Sequence, residues 1–127
     1  MIDEEVRDAL LQDQTIDITT IGRRSGSPRR LEIWFHNLDG HIYITGLPGK
    51  RDWYANLLER PDLIFHLKQS VQADIPARAR LITGPAERER VLRQILDRIG
   101  RRDANGNWLD RSPLIEVDLL DEERPAA

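Results

Sequence analysis

The residues of this sequence best suited to chemistry are cations grouped with glycines. The segment 22–30 carries four arginines, two glycines and two serines between two stretches with strand patterns. Guanidinium groups bind phosphate or carboxylate oxygens in pairs, and glycine and serine let backbone amides and hydroxyls approach the same anion. The segment therefore predicts an anion site. The alternative is a solvated loop whose arginines pair with surface acids.

A second group of cations stands where a breaker segment leads into a predicted helix. Lys50 and Arg51 follow the glycine- and proline-containing segment 46–49, and Asp52 is the expected N-cap of the helix. A helix N-terminus offers unpaired N–H groups and a partial positive charge, which the two cations reinforce. The spacing does not match a P-loop. The pattern predicts a second anion-binding segment, with an ordinary capped helix as the alternative.

Aromatic and hydroxyl side chains give weaker signals. Four aromatic residues could flank a planar ligand, although such residues more often pack in a core; they are Trp34, Tyr43, Trp53 and Tyr54. Ser25 and Ser27 have no recognisable histidine and carboxylate relay, so nucleophilic catalysis is not expected. The sequence therefore offers no catalytic side chain of its own.

A metal site is not expected either. The sequence has three histidines, His36, His41 and His66, and a turn at Asp39–Gly40 would leave the first two not directly opposed. Cysteine is absent, which excludes disulfides, thiol nucleophiles and cysteine-ligated zinc or iron–sulfur clusters. Any chemistry must use other groups.

Hydrophobic periodicity predicts the elements that position these residues. The predicted strands lie at 15–21, 31–36, 41–45, 63–68, 71–75, 77–82 and 114–119. Predicted helices lie at 2–12, from Asp52 to Pro61, and at 85–99, where Val91, Leu92, Ile95 and Ile99 should be buried. Residues 101–111 are predicted to be a polar loop, and 122–127 a frayed tail. This order lacks regular strand–helix alternation, so it favours a small, mostly antiparallel barrel of six or seven strands with helices outside over a parallel sheet.

The turn at Asp39–Gly40 predicts a hairpin between strands 31–36 and 41–45. Because the second strand returns along the first, Arg30 and Gly46 should lie at the same end of the hairpin. We therefore expect both cationic segments on one rim of the barrel.

Length and composition set the broad class. The chain has 127 residues, 39% of them hydrophobic, which predicts one folded domain over 1–127. Its net charge of -3 argues against nucleic-acid binding. No apolar run approaches ~20 residues, so no membrane span is expected, and a cytoplasmic location is the default.

Two stretches together resemble a known family. They are TTIGRRSGSPR at 19–29, followed by EIWF at 32–35, and GKRDWYANLL at 49–58, followed by Pro61. The pair resembles the deazaflavin-dependent nitroreductase family, small split-barrel oxidoreductases that use coenzyme F-420 and are related to FMN-binding split barrels. The resemblance covers about residues 15–82 and implies a mainly β fold, a split β-barrel with flanking helices.

The resemblance also implies a cofactor site. Residues that match the family's contacts to the phosphate and acidic tail of the coenzyme are Arg23, Arg24, Ser25, Gly26, Lys50, Arg51, Trp53 and Asn56. Ile44 and Thr45 would run beside the deazaflavin ring. The implied activity is hydride transfer from reduced F-420 to a small electrophile such as a quinone, an enone or a nitro compound. FMN binding and a non-catalytic flavin- or deazaflavin-binding protein are the alternatives, and we expect a homodimer.

Overall fold

The computed structural model describes residues 3–101 and 106–120, and of residues 106 and 107 only the backbone. The helices are α1 (Glu4–Gln12), α2 (Asp52–Glu59), α3 (Pro85–Arg98) and α4 (Gly106–Arg111). The strands are β1 (Thr15–Ile21), β2 (Pro28–Trp34), β3 (His36–Leu38), β4 (His41–Thr45), β5 (Asp62–Leu67), β6 (Ala73–Leu81) and β7 (Leu114–Leu119).

The seven strands form one antiparallel sheet in the order β2-β1-β5-β6-β7-β4-β3. The two edge strands, β2 and β3, are consecutive in the chain and only Phe35 separates them. The sheet must therefore curl until its edges approach each other, and β2 contacts β4 across the gap. The fold is a curled half-barrel with flanking helices, which confirms the predicted split barrel.

Alternating residues of the strands fill the interior of this barrel. Ile16 and Ile18 of β1 are fully buried, and the rings of Phe35 and Phe65 meet edge to face with centroids 5.4 Å apart. A second cluster forms where α3 lies against the outer side of the sheet; it contains Tyr43, Ile82, Val91, Leu92, Ile95 and Leu114. The prediction that Ile99 is buried too is wrong. Ile99 is the C-cap of α3, past its last helical residue, and is only half-buried.

The predicted hairpin between the second and third strands is also wrong. β2 ends at Trp34 and pairs with β1, whereas β4 pairs with β3 and β7. Phe35 is the corner of the barrel, because its N–H still donates to the carbonyl of Gln14 while the next residue already pairs with β4. The turn at Asp39–Gly40 therefore joins only the short strand β3 to β4.

Three smaller predictions need correction. Residues 73–81 form one strand through Pro76, where two strands separated by this proline were predicted. The carbonyl of Pro76 points toward β7 and accepts a hydrogen bond from the N–H of Leu120, just past the last β6–β7 pair. The N–H that proline lacks would point to the same side, so it is missing at the end of the β6–β7 ladder. Arg51, not Asp52, occupies the N-cap position of α2. The segment predicted as a polar loop contains α4, which is too short to show an apolar stripe.

The remaining predicted elements agree with the structure to within a few residues. α2 ends before Pro61, as expected where the residue preceding a proline avoids helical geometry. The predicted tail at 122–127 lies outside the described residues.

Candidate functional site

A cavity of about 520 Å³ lies between the β1–β2 loop and the start of α2. Four arginines line it, Arg23, Arg24, Arg29 and Arg30, together with Trp53 and Asn56. We call it the arginine cavity.

The β1–β2 loop is a tight turn that glycine makes feasible. The N–H of Gly22 donates to the carbonyl of Ser27, and the N–H of Gly26 donates to the carbonyl of Gly22, both at 2.8 Å. Gly26 has φ +70°, a conformation that other residues adopt only with strain. A Cβ at Gly22 would lie 2.6 Å from the Oγ of Ser25, which is too close. The backbone conformation therefore favours glycine at position 26, whereas a side chain at position 22 would require Ser25 to move.

Asn56 ties this loop to α2. Its side chain is 3% exposed, and its Oδ1 accepts hydrogen bonds from the backbone N–H of Arg23 at 3.1 Å and from Nη1 of Arg23 at 2.9 Å. Its Nδ2 donates to the Oγ1 of Thr20 at 3.1 Å. The buried side chain of Asn56 thus holds the start of the β1–β2 loop, at Arg23, against α2.

The arginines of the cavity differ in how far they are neutralised. Nη2 of Arg23 lies 3.3 Å from Oδ1 of Asp52, and Nε of Arg30 lies 2.9 Å from Oδ2 of Asp17. Arg24 and Arg29 have no carboxylate partner within the described ranges; Arg29 reaches only a hydroxyl, the Oγ of Ser25, at 3.5 Å. Within the described part of the chain, the cavity therefore keeps positive charge that no carboxylate balances.

Asp17 lies on the outer face of the sheet beside this cavity. Hydrogen bonds from Lys68 and, less strongly, Arg30 hold the pKa of its carboxyl below the usual range, despite an opposing contribution from burial. Lys68 also pairs with Glu32 of β2. Arg30 is therefore held on the sheet by a charged network, which leaves Arg24 and Arg29 as the arginines free to meet a ligand.

A second cavity, of about 510 Å³, lies on the other side of α2. It is lined by Lys50, Tyr54, Arg88, Asp110, Arg111 and Ser112, with Pro48, Gly49 and Pro113. We call it the Lys50 cavity. The two cavities share the first turn of α2, because Trp53 lines the first and Tyr54 the second, with ring centroids 6.0 Å apart.

The structure brings together five of the predicted site residues and separates the others. Arg23, Arg24, Ser25, Trp53 and Asn56 all line the arginine cavity. Their proximity arises from the packing of α2 against β1 and not from the hairpin that the sequence suggested. Lys50 lines the Lys50 cavity instead.

The other predicted residues line neither cavity. The guanidinium of Arg51 folds back and donates to the carbonyl of Lys50 at 2.8 Å. Ile44 is fully buried in the core and pairs with Ile115 of β7. The hydroxyl of Thr45 donates to the carbonyl of Pro113 at 2.6 Å. Gly26 serves the turn.

Sequence reasoning missed three residues of the Lys50 cavity, Arg88, Arg111 and Ser112. Arg88 lies one turn before Val91 and Leu92 on the face of α3 that is buried, where a charged residue interrupts the apolar stripe. The segment 111–113 precedes β7 and consists of arginine, serine and proline, which also occur in the segment 22–30. This similarity was the one signal in the sequence that could have indicated a second anion site there.

The three histidines lie in separate places. His66 is hydrogen-bonded to Thr19 and Asp74, each at 2.7 Å, and His41 to Glu116 at 2.8 Å. His36 is buried. No group of three or more histidine and carboxylate side chains in the described parts of the chain could hold a metal ion. None of the helices within residues 3–101 and 106–120 is both long and apolar enough to cross a membrane.

Solved structures share this fold at low sequence identity. A conserved hypothetical protein of Mycobacterium tuberculosis superposes with a TM-score of 0.71 at 19% identity, covering 95% of this chain and 82% of that one. An F420-H2 dependent reductase gives 0.63 at 21%, covering 84% and 95%. An FAD-binding protein of Mesorhizobium loti gives 0.63 at 11%, covering 91% and 87%. At these identities the likeness extends to the fold alone.

A search of curated proteins gives no significant match. A family model described as pyridoxamine 5'-phosphate oxidase matches residues 2–122, which is nearly the whole chain. Together with the split-barrel fold, this match shows that the chain belongs to the pyridoxamine 5'-phosphate oxidase family.

Proposed function

We propose that this protein is a small oxidoreductase that uses coenzyme F-420 and holds the anionic part of the coenzyme in the arginine cavity. The observation that carries the proposal is the charge of this cavity. Arg24 and Arg29 line the cavity and have no carboxylate partner among the described residues. Beside them is the tight turn of the β1–β2 loop, where Gly22 and Gly26 have no side chain to keep a ligand away from the backbone. A phosphate or carboxylate would balance this charge.

The other features of the cavity suit a cofactor of this kind. Its volume of about 520 Å³ falls in the usual range of about 300 to 1,000 Å³ for small-molecule sites. Asn56 holds the loop in place, and Trp53, which is 6% exposed, is part of the lining. The residues present therefore fit the anionic group of such a cofactor.

When bound, a reduced deazaflavin supplies the hydride and accounts for the chemistry. The protein's part is to bind, to orient and to exclude water, which needs no nucleophile. The acceptor that we propose is a small electrophile such as a quinone, an enone or a nitro compound.

FMN is the alternative cofactor, because a flavin phosphate would meet the same arginines. The motifs at 19–29 and 49–58 favour F-420, as does the shared fold with an F420-H2 dependent reductase. The shared fold with an FAD-binding protein supports a flavin. A protein that binds either cofactor without turnover is the third alternative.

The test is a pair of fluorescence titrations of the purified protein, one with F-420 and one with FMN. Arg24→Ala should weaken binding of the correct cofactor by about tenfold or more, because charge-assisted contacts contribute ~1.5 to 3 kcal/mol. Arg60→Ala is the matched control: Arg60 is an exposed cation just past the opposite end of α2. It should bind as the parent protein does.

Turnover then separates an enzyme from a carrier. Oxidation of reduced F-420 is followed by absorbance in the presence of a quinone, an enone or a nitroaromatic compound. Binding without turnover would assign a carrier. If neither cofactor binds, or if Arg24→Ala and Arg60→Ala behave alike, the proposed function is wrong.

The homodimer and the cytoplasmic location expected from the sequence belong to the same proposal. The homodimer is supported by the resemblance to the split barrels, which are often dimers, and the location by a sequence with no apolar run of ~20 residues. Sedimentation equilibrium of the purified protein would measure the oligomeric state directly.

A further inference from the structure

We infer that the Lys50 cavity is a separate subsite that binds the carboxylate of a small organic anion with a planar apolar body. As the substrate subsite of the proposed oxidoreductase, this inference rests on the proposed function. As a binding site it stands on its own geometry.

The first observation is an unsatisfied hydroxyl. Ser112 is 2% exposed, lines this cavity, and has an Oγ with no hydrogen-bond partner in the described part of the chain. Its backbone is already used: the N–H donates to the carbonyl of Trp108, and the carbonyl accepts from Nη2 of Arg88. A buried hydroxyl without a hydrogen-bond partner destabilises the protein. A ligand oxygen that accepts a hydrogen bond from Ser112 removes this cost and therefore binds more tightly.

The second observation is the charge of the cavity. Arg88 is held in place by three hydrogen bonds, because it donates to the carbonyls of Leu109, Ile82 and Ser112 at 2.7 to 3.1 Å. Lys50 and Arg111 have no carboxylate partner within residues 3–101 and 106–120, and Asp110 is the one acid of the lining. With Arg88, whose charge the neutral carbonyls do not cancel, three cations face one carboxylate, so the lining carries a net positive charge that favours an anion.

The third observation is that the lining is held in place before any ligand binds. The N–H of Gly49 donates to the carbonyl of Arg111 at 3.1 Å, which joins the loop that carries Lys50 to the end of α4. Arg88 secures the same end of α4 through its carbonyls. Such preorganisation lowers the cost of ordering side chains on binding.

The apolar part of the lining suggests the shape of the ligand. Pro48, Pro113 and the ring of Tyr54 form its uncharged walls. Tyr54 contacts Trp53 edge to face, and Trp53 faces the arginine cavity. A ligand body that lies on Tyr54 is therefore close to the cavity proposed for the cofactor.

The test compares two probes that differ only in charge, 4-nitrobenzoate and the neutral 4-nitrobenzamide, by calorimetric titration of the cofactor-free protein. We expect the benzoate to bind at least about tenfold more tightly. Lys50→Met should remove that difference without changing the affinity for the amide. Arg60→Met, the control at the other end of α2, should leave both affinities unchanged.

Ser112→Ala gives a second and more specific readout. It should weaken benzoate binding roughly fivefold, while the melting temperature stays the same or rises, because an unsatisfied buried hydroxyl is removed. A hydroxyl with a merely structural role would instead lower the melting temperature and leave benzoate binding unchanged.

Three results would overturn the inference. They are equal affinity for the two probes, displacement of the benzoate by inorganic phosphate at a lower concentration than by acetate, and loss of F-420 or FMN binding in Lys50→Met with benzoate binding intact. The last result would make the cavity part of the cofactor site, and the proposed function would survive. If the benzoate binds as expected but neither cofactor does, the proposed function fails and the subsite remains.

Discussion

His36 should make this protein unstable in mild acid. Its side chain is 6% exposed on β3, where it stands opposite Tyr43. Burial, and secondarily the charge of Arg98, lower the pKa of its imidazole from 6.5 to about 4. In the unfolded chain the ring takes up a proton near its ordinary pKa, so protons favour the unfolded state between these two values.

The size and sign of the effect follow from the two pKa values. At a pH above 6.5, the pKa in the unfolded chain, His36 is neutral in both the folded and the unfolded protein, and the full stability is present. This stability is lost as the pH falls toward about 4, the pKa in the folded protein. The full loss amounts to about 3 kcal/mol, and about 2 kcal/mol of it should be reached by about pH 5. Such a loss is a large fraction of the stability of a small domain.

The assay is urea unfolding of the parent and of His36→Phe at about pH 7.5 and about pH 5. Phenylalanine has a similar volume and does not titrate, and every other titrating group is common to both proteins. The parent should lose about 2 kcal/mol more than the variant between the two pH values. Equal losses in the two proteins would refute the pKa assignment, whatever the absolute stability of the variant.

Three further substitutions test what holds the fold and the site together, each by urea unfolding. Asn56→Ala should cost about 2 to 3 kcal/mol, because it removes the buried hydrogen bonds to Arg23 and Thr20; a loss below about 1 kcal/mol would mean that the loop is held by other contacts. Phe65→Ala should cost about 3 to 5 kcal/mol, since the ring is fully buried, and a smaller loss would indicate a core that collapses into the space. Gly40→Ala should cost about 1 to 2 kcal/mol from backbone strain alone, because Gly40 has φ +90° and nothing lies within 4 Å of an added Cβ; an unchanged stability would contradict the left-handed turn.

The cavities show why the candidate site was only partly readable from the sequence. The segment 22–30 was identified because its arginines, serines and glycines are neighbours in the chain. Arg88 and Ser112 lie 24 residues apart by number, and no local pattern marks either as a neighbour of Lys50. Such groups meet only when α3 and α4 pack beside the loop that precedes α2.

The closure of the barrel was likewise beyond local patterns. Alternation along residues 31–36 indicates extended structure, but it does not reveal that the chain turns a corner at Phe35 and changes partners from β1 to β4. Long-range packing decides which strands pair. The burial of Phe35 against Phe65 is one of the contacts that favour the change of partner at Phe35.

By itself, the sequence determined the local features: the strands β1, β4 and β7, the amphipathic helix α3, the turn at Asp39–Gly40 and the two cationic segments. These depend on side-chain period and turn chemistry, which act over a few residues. Only the tertiary structure decided that the two cationic segments line different cavities, because that depends on how the β1–β2 loop, α3 and α4 pack around the start of α2. It also decided which cations stay unpaired, since the carboxylates that neutralise Arg23 and Arg30 come from other elements, α2 and β1.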